Sequence, residues 1–350
     1  MKKYRYKVYL AFIEEQGSSR STSLKAYYTD DFFDELEIIE AGITLICYRS
    51  KGRNISRILT DYKSTINTQI TKAIFYYIAV NGSIPRIDYI KIEETSPSGD
   101  KKEFIYDSDK LIQPFEGSLP DNLLIPEEKL SPLFLADKKA NTILLALSLW
   151  IKGSKSNLAG DGFDRLWTSF NSLYSFISTG NNEFEKLKDM RNFILTNRDL
   201  FSESTRLFSE INDTELRKLR WRELVLNDYV NESNTKAFRD FILRYKDQRI
   251  MKVFSEILPY RKDFLSRKGY INEVESHIST FIEAGENDDH ELLCLYLIKY
   301  SYFIRNKYFH GEKLDPTFYL IKTDEISELK FINTLFSTFI KELILANEKY

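Results

Sequence analysis

Arg305, Asn306 and His310 close an apolar run that begins at Leu292, and Gly311 follows the histidine. A histidine titrates near neutrality, so His310 can take up and return a proton. A guanidinium presents fixed paired donors to phosphate oxygens, which is what Arg305 offers. Together these are the groups needed to break a phosphodiester by attack of a neighbouring 2′-hydroxyl, without a metal ion. On a helix Asn306 and His310 lie about 40° apart, whereas Arg305 and His310 lie about 140° apart, so one helix aims the Arg and His poorly at a single phosphate. The same residues admit a plainer reading, with Arg305 a surface or capping residue and His310 a last-turn residue facing the helix dipole.

A second cluster, Arg217, Lys218, Arg220, Trp221 and Arg222, mixes cations with an indole, the composition that holds phosphates and stacks bases; on a helix it can equally form a solvated face. Arg244, Lys246, Arg249 and Lys252 extend the basic character. His277 and His290 stand thirteen apart, with Glu273, Glu275, Asp288 and Asp289 nearby, but lack the close spacing of a two-histidine metal site. Cys47 and Cys294 lie singly in apolar stretches and are expected to be buried thiols. Phosphate-binding glycine loops and acyl-transfer elbows are absent from the sequence.

Upstream, Asp164-Arg-Leu-Trp167-Thr-Ser-Phe170-Asn171-Ser-Leu-Tyr174 places Trp167, Phe170 and Tyr174 at spacings of three and four, one face of a helix that should face a core. This segment resembles the first core helix of bacterial HEPN proteins, and Arg305-Asn306 to His310 resembles the R-x4-6-H motif of HEPN ribonucleases. The resemblance covers roughly residues 138–350. It implies a metal-independent RNA endonuclease with Arg305, Asn306 and His310 as catalytic residues and no cofactor or metal. It also implies a homodimer in which two Arg-His helices face each other across a cleft. A toxin or anti-phage (abortive-infection) effector follows as the biological expectation; the alternative is a catalytically inactive HEPN module that binds RNA or scaffolds a partner.

The elements that must position these groups read as two domains, since 350 residues exceed one small core. Alternating apolar residues over Lys3–Ile13 and Ile43–Tyr48 mark strands, as does Arg86–Glu93 pairing with Glu103–Tyr106 across Ser96-Pro97-Ser98-Gly99. Between them, Ile55 to Tyr77 recur at helical spacing until Asn81-Gly82. Residues 1–110 are therefore expected to form an α+β domain, assigned to sensing a regulatory protein or phage-derived trigger. Prolines at 114, 120, 126 and 132 suggest an extended connector over 111–137 that wraps the surface, and 138–350 an all-α HEPN bundle. A net charge of −2 confines any RNA binding to a local patch. With no signal-peptide pattern and no apolar run near the ~20 residues that span a bilayer, a cytoplasmic location away from membranes is expected.

Overall fold

Strand alternation near the start is realised as expected. In the computed structural model Tyr6, Val8 and Leu10 of β1 (Tyr4–Phe12) are buried while Arg5 and Lys7 are exposed. The structure describes residues 3–13, 22–29, 32–39, 41–61, 63–112, 118–209, 211, 213–309, 321 and 323–350. β1 runs antiparallel to β4 (Gly42–Arg49) and β5 (Ile87–Thr95), so Val8 faces Leu45 on one side and Ile92 on the other. With β2 (Thr22–Thr29), β3 (Phe32–Ile39) and β6 (Lys101–Asp107) the sheet is six-stranded, in the order β2-β3-β4-β1-β5-β6. The β5–β6 turn closes where expected, with Gly99 at φ +99°, a conformation that favours glycine.

Helix α1 (Thr65–Asn81) covers one face of the sheet, and Phe12 meets Tyr77 at a ring separation of 5.1 Å. It starts later than the periodicity from Ile55 suggests. Asn54 Oδ1 accepts from Ser56 N and Asp61 Oδ1 from Lys63 N, local bonds that compete with the helical ladder; the regular helix begins only after Ser64 caps it. Gly82, at φ +74°, ends it.

The connector differs from expectation. Residues 121–134 fold into two 3-10 segments, Asp121–Leu123 and Glu127–Phe134, whose Leu123, Leu130, Leu133 and Phe134 are buried. Ile125 N donates to Ala79 O, and Phe134 meets Tyr76 at 5.4 Å. These apolar residues contribute roughly 1.5–3 kcal/mol each on burial, so Pro120, Pro126 and Pro132 belong to a packed strap and not a surface tether; Pro114 lies outside the described residues.

The chain divides into two compact units, Met1–Lys155 with Ile344–Tyr350, and Ser156–Leu343. Helix α2 (Lys138–Ser154) thus belongs with the sheet, packing on α1 and on the 127–134 segment. The last residues join the same unit, where Asn347 Nδ2 donates to Lys129 O (2.8 Å) and Lys139 Nζ to Tyr350 O (2.7 Å). The division therefore falls after residue 155 and not at 137. The second unit contains helices joined by turns and no strand among its described residues. Its core holds the aromatic face of α3 (Ala159–Ile177) against Phe336 and Phe339 of the Asp324–Leu345 helix. No helix among the described residues is long and apolar enough to cross a membrane.

Candidate functional site

Arg305 stands near the end of a continuous helical stretch built from Asp289–Cys294, a π-helical segment Leu295–Tyr300, and Ser301–Phe309. Asp288 caps its start, accepting from His290 N and Glu291 N, and its carboxylate is forked onto Arg198 at 2.9 and 2.8 Å. Burial works against charge on Asp288, but Arg198 and the capping N–H groups outweigh it and hold the carboxyl below its ordinary range.

The π-helical segment is anchored on several sides. Ser301 donates through both its backbone N–H and its Oγ to Tyr296 O, five residues back. The Tyr300 hydroxyl bonds to Glu328 and accepts from Arg220 N at 3.0 Å. Lys299 is ion-paired to Asp228 at 2.6 Å and lies 4.8 Å from the Tyr229 ring. Burial would drive the Lys299 ammonium down, yet Tyr229 and Asp228 raise it above its ordinary range, so it stays charged.

At the end of the stretch Arg305 Nη1 donates to Asn306 Oδ1 at 3.0 Å. Trp167 lies 6.0 Å from the Tyr302 ring, which joins α3 to the Arg305 helix. The Tyr174 hydroxyl bonds to Glu183, the first residue of α4 (Glu183–Thr196), and burial followed by Glu183 pushes that phenol far above its ordinary range. The charge of Arg305 acts on Tyr174 in the opposite sense. Arg305 and Asn306 are thus together; His310 lies outside the described residues. Trp167, Phe170 and Tyr174 are all buried and face the core, as their spacing predicts.

The 217–222 cluster does not form a common basic surface. Arg217 pairs with Glu256 at 2.6 Å. Arg220, its side chain only 12 % exposed, is held by Glu328 at 2.9 Å and Glu325 at 3.2 Å. Burial opposes its charge, and Glu328, Tyr300 and Glu325 more than restore it. Trp221 is buried, donates Nε1–H to Leu216 O at 2.7 Å and leans on Tyr300 at 5.4 Å. It has no face to offer a base. Lys218 and Arg222 are exposed, Arg222 lying 5.3 Å from the Tyr260 ring. Arg249 is likewise buried, between Asp247 and Asp289. The reason is common to these cases: each cation sits where a carboxylate on another element comes close, a pairing that local sequence does not display.

His277 bonds to Tyr245 O and His290 to Arg198 O, each at 2.9 Å, and His290 lies in the first turn of its helix. Among the described residues no group of three or more His, Cys, Asp or Glu is arranged to hold a metal ion. Both cysteines are buried thiols, pushed up to about 12 by burial. Glu183 and Glu328, which bond to Tyr174 of α3 and to Tyr300 of the π-helical segment, were not apparent from sequence; the signal for Glu183 is Asn182 before it, an N-cap whose Oδ1 accepts from Glu185 N. Comparison of the chain with protein-family models, with curated proteins and with solved structures returned no match.

Proposed function

We propose that the protein is a HEPN-type RNA endonuclease acting without a metal ion, with Arg305, Asn306 and His310 as its catalytic residues. The observation that carries this reading is the contact of Trp167, in the Trp167–Tyr174 segment, with Tyr302 of the Arg305 helix at 6.0 Å. Two separated sequence segments that resemble one family thereby meet in one helical unit. In the proposed reaction His310 takes the proton of the 2′-hydroxyl, whose oxygen attacks phosphorus. The P–O5′ bond breaks, and the proton passes to the leaving 5′-oxygen. Arg305 binds the non-bridging oxygens as negative charge develops, and Asn306, bonded to it, fixes its direction.

A regular helix would set Arg305 and His310 about 140° apart, so in this proposal a second copy completes the site across a two-fold axis. The sheet-containing unit then restrains or triggers a cytoplasmic toxin-like or anti-phage effector. A second reading is favoured by the 217–222 cluster: with Arg217 and Arg220 paired and Trp221 buried, a non-cleaving HEPN module that scaffolds a partner has an observation behind it.

Cleavage separates the two. Wild-type, Arg305→Ala and His310→Ala proteins are incubated with total RNA, with and without EDTA, and the new ends are sequenced. The proposal expects 2′,3′-cyclic phosphate and 5′-hydroxyl ends from wild-type alone, undiminished by EDTA. No cleavage by a folded wild-type dimer, or cleavage retained by His310→Ala, overturns it.

A further inference from the structure

Arg222 is exposed on the helix Trp221–Asp228, and its guanidinium lies over the ring of Tyr260, 5.3 Å from the centroid. Tyr260 is itself 40 % exposed. It belongs to the 3-10 turn Leu258–Arg261, which runs into the helix Lys262–Arg267. Phe264 of that helix has two guanidiniums over its ring, Arg261 at 5.5 Å and Arg267 at 5.2 Å. Three arginines and two rings are thus chained together within the helical unit, inside the continuously described stretch 213–309.

Arg261 sets the arrangement. Its Nε donates to Tyr229 O at 2.5 Å and its Nη2 to Leu226 O at 3.2 Å, at the end of the helix that carries Arg222, while Nη1 donates to Tyr260 O at 3.0 Å. Burial lowers the pKa of this guanidinium, and no carboxylate raises it again. Arg222 has no ion pair among the described residues, and Arg267 and Lys268 share one carboxylate, Glu232, at 3.1 and 3.4 Å. Of the other acids on these elements, Glu223 pairs with Arg220 and Asp228 with Lys299, which leaves Asp263. Four cations, Arg222, Arg261, Arg267 and Lys268, therefore meet two carboxylates, Glu232 and Asp263; Lys262 is matched by Glu275.

An open ring beside incompletely matched guanidiniums suits a polymer that carries both flat apolar faces and anions. A single strand of nucleic acid does so, whereas an acidic peptide brings the anions without the faces and a duplex keeps its faces in the stack. We propose that this surface binds single-stranded RNA, with a base stacked on Tyr260 and phosphates on Arg222, Arg267 and Lys268. Arg261 and Phe264 position these groups. Only the identification of the strand as RNA rests on the proposed function; base and phosphate are recognised here whether or not the Arg305 helix cleaves.

The test reads binding to the full chain by fluorescence anisotropy with a labelled single strand of 2′-O-methyl RNA, which lacks the attacking hydroxyl. The same sequence as DNA, its duplex, and polyglutamate are compared. With three phosphates engaged at about 0.7 each, the logarithm of affinity should fall with the logarithm of salt at a slope of about −2, and Arg267→Ala/Lys268→Ala should bring it near about −0.7. Tyr260→Ala should weaken binding about fivefold or more with the slope kept, and Tyr260→Phe should stay within about twofold of wild type. All these positions except the ring of Tyr260 are more than half solvent-facing or unpaired, so melting temperatures should hold; if Tyr260→Ala does not fold, the cation double variant decides. Unchanged affinity in folded Tyr260→Ala, an unchanged slope in the double variant, duplex or polyglutamate bound as tightly as the single strand, or DNA bound where the RNA strand is not, each overturns the proposal. RNA cleavage by wild type with binding unmoved by these variants removes this surface and leaves the nuclease; the expected binding without cleavage removes the nuclease and leaves the surface.

Discussion

Trp167→Ala should destabilise the helical unit severely and reach RNA chemistry only through the fold. Trp167 is 2 % exposed, with the rings of Phe170, Tyr302 and Phe336 at 5.8 to 6.0 Å and those of Phe163 and Tyr174 slightly farther. A buried Trp removes roughly 150–250 Å² from water, about 4–6 kcal/mol at ~25 cal/mol per Å². The unfolded chain already hides part of that area, and a cavity term acts in the opposite direction. Measured truncations of buried Trp centre on ~3–5 kcal/mol. At roughly 2–4 °C per kcal/mol for a unit of this size, the melting temperature should fall by about 6–20 °C. Scanning calorimetry reads the shift, and fluorescence anisotropy with a labelled single-stranded RNA, at a temperature where both proteins are folded, reads affinity. A variant with wild-type melting and weakened RNA binding would show that the indole contacts RNA, and the argument from burial would fail.

Three further outcomes follow from the same geometry. Arg305→Ala and His310→Ala should each lower RNA cleavage by roughly 10²-fold or more without moving the melting temperature, and a mixture of the two dead proteins should regain activity if each centre takes its Arg from one subunit and its His from the other. Arg220→Ala strands Glu328 in a buried site and should cost about 3–5 kcal/mol by chemical denaturation, whereas exposed Arg222→Ala should stay within about 0.5 kcal/mol; equal effects would refute the buried-pair assignment. Burial pushes the Glu342 carboxyl up to about 7, against the lowering effect of the Ser204 hydroxyl and the backbone N–H groups of Glu203 and Ser204, so the folded state binds its proton more tightly than the unfolded chain. Stability from this group is full below the unfolded value near 4.3 and is lost as pH rises to about 7, some 3 kcal/mol in all; a pH series of denaturation curves on wild-type and Glu342→Gln should show the two diverging across that window and running parallel outside it.

The sheet was legible where burial is one-sided and aliphatic, as in β1, β4 and the β5–β6 hairpin. It was not legible in β2 and β3, because β3 alternates Asp34, Leu36 and Ile38 inward with Glu35 and Glu37 outward, and acidic residues disfavour a strand reading. Asp34 is tolerated inside only because Arg49 of β4 forks onto it at 2.7 and 2.8 Å, a contact visible once the two strands are neighbours. The 217–222 cluster shows the reverse: Arg217 and Arg220 look available in sequence and are paired with carboxylates up to 108 positions away, while Lys218 and Arg222 are exposed. The packing of Trp167, Phe170 and Tyr174 was legible, since three- and four-residue spacing of large aromatics has few other solutions.

The π-helical segment marks the limit of periodicity as a guide to this site. Residues 291–298 are all buried, so the helix is covered on every side there and carries no polar stripe from which its rotational phase can be read. Adding a five-residue hydrogen bond at Ser301 to Tyr296 inserts about one residue's worth of rotation, roughly 100°, relative to a regular helix. An α-helical wheel drawn from the start at Asp289 would therefore misplace Tyr302 and Arg305 by about that angle, turning them away from Trp167 and Tyr174. In the structure Tyr302 meets Trp167, and Tyr300 faces Glu328 and Arg220. The irregular turn thus satisfies two fixed constraints on one helix, the capped start at Asp288 and the aromatic face of α3. The side chains of this turn are anchored to other elements by Tyr300–Glu328 and Lys299–Asp228, contacts that hold the irregular turn between those two constraints.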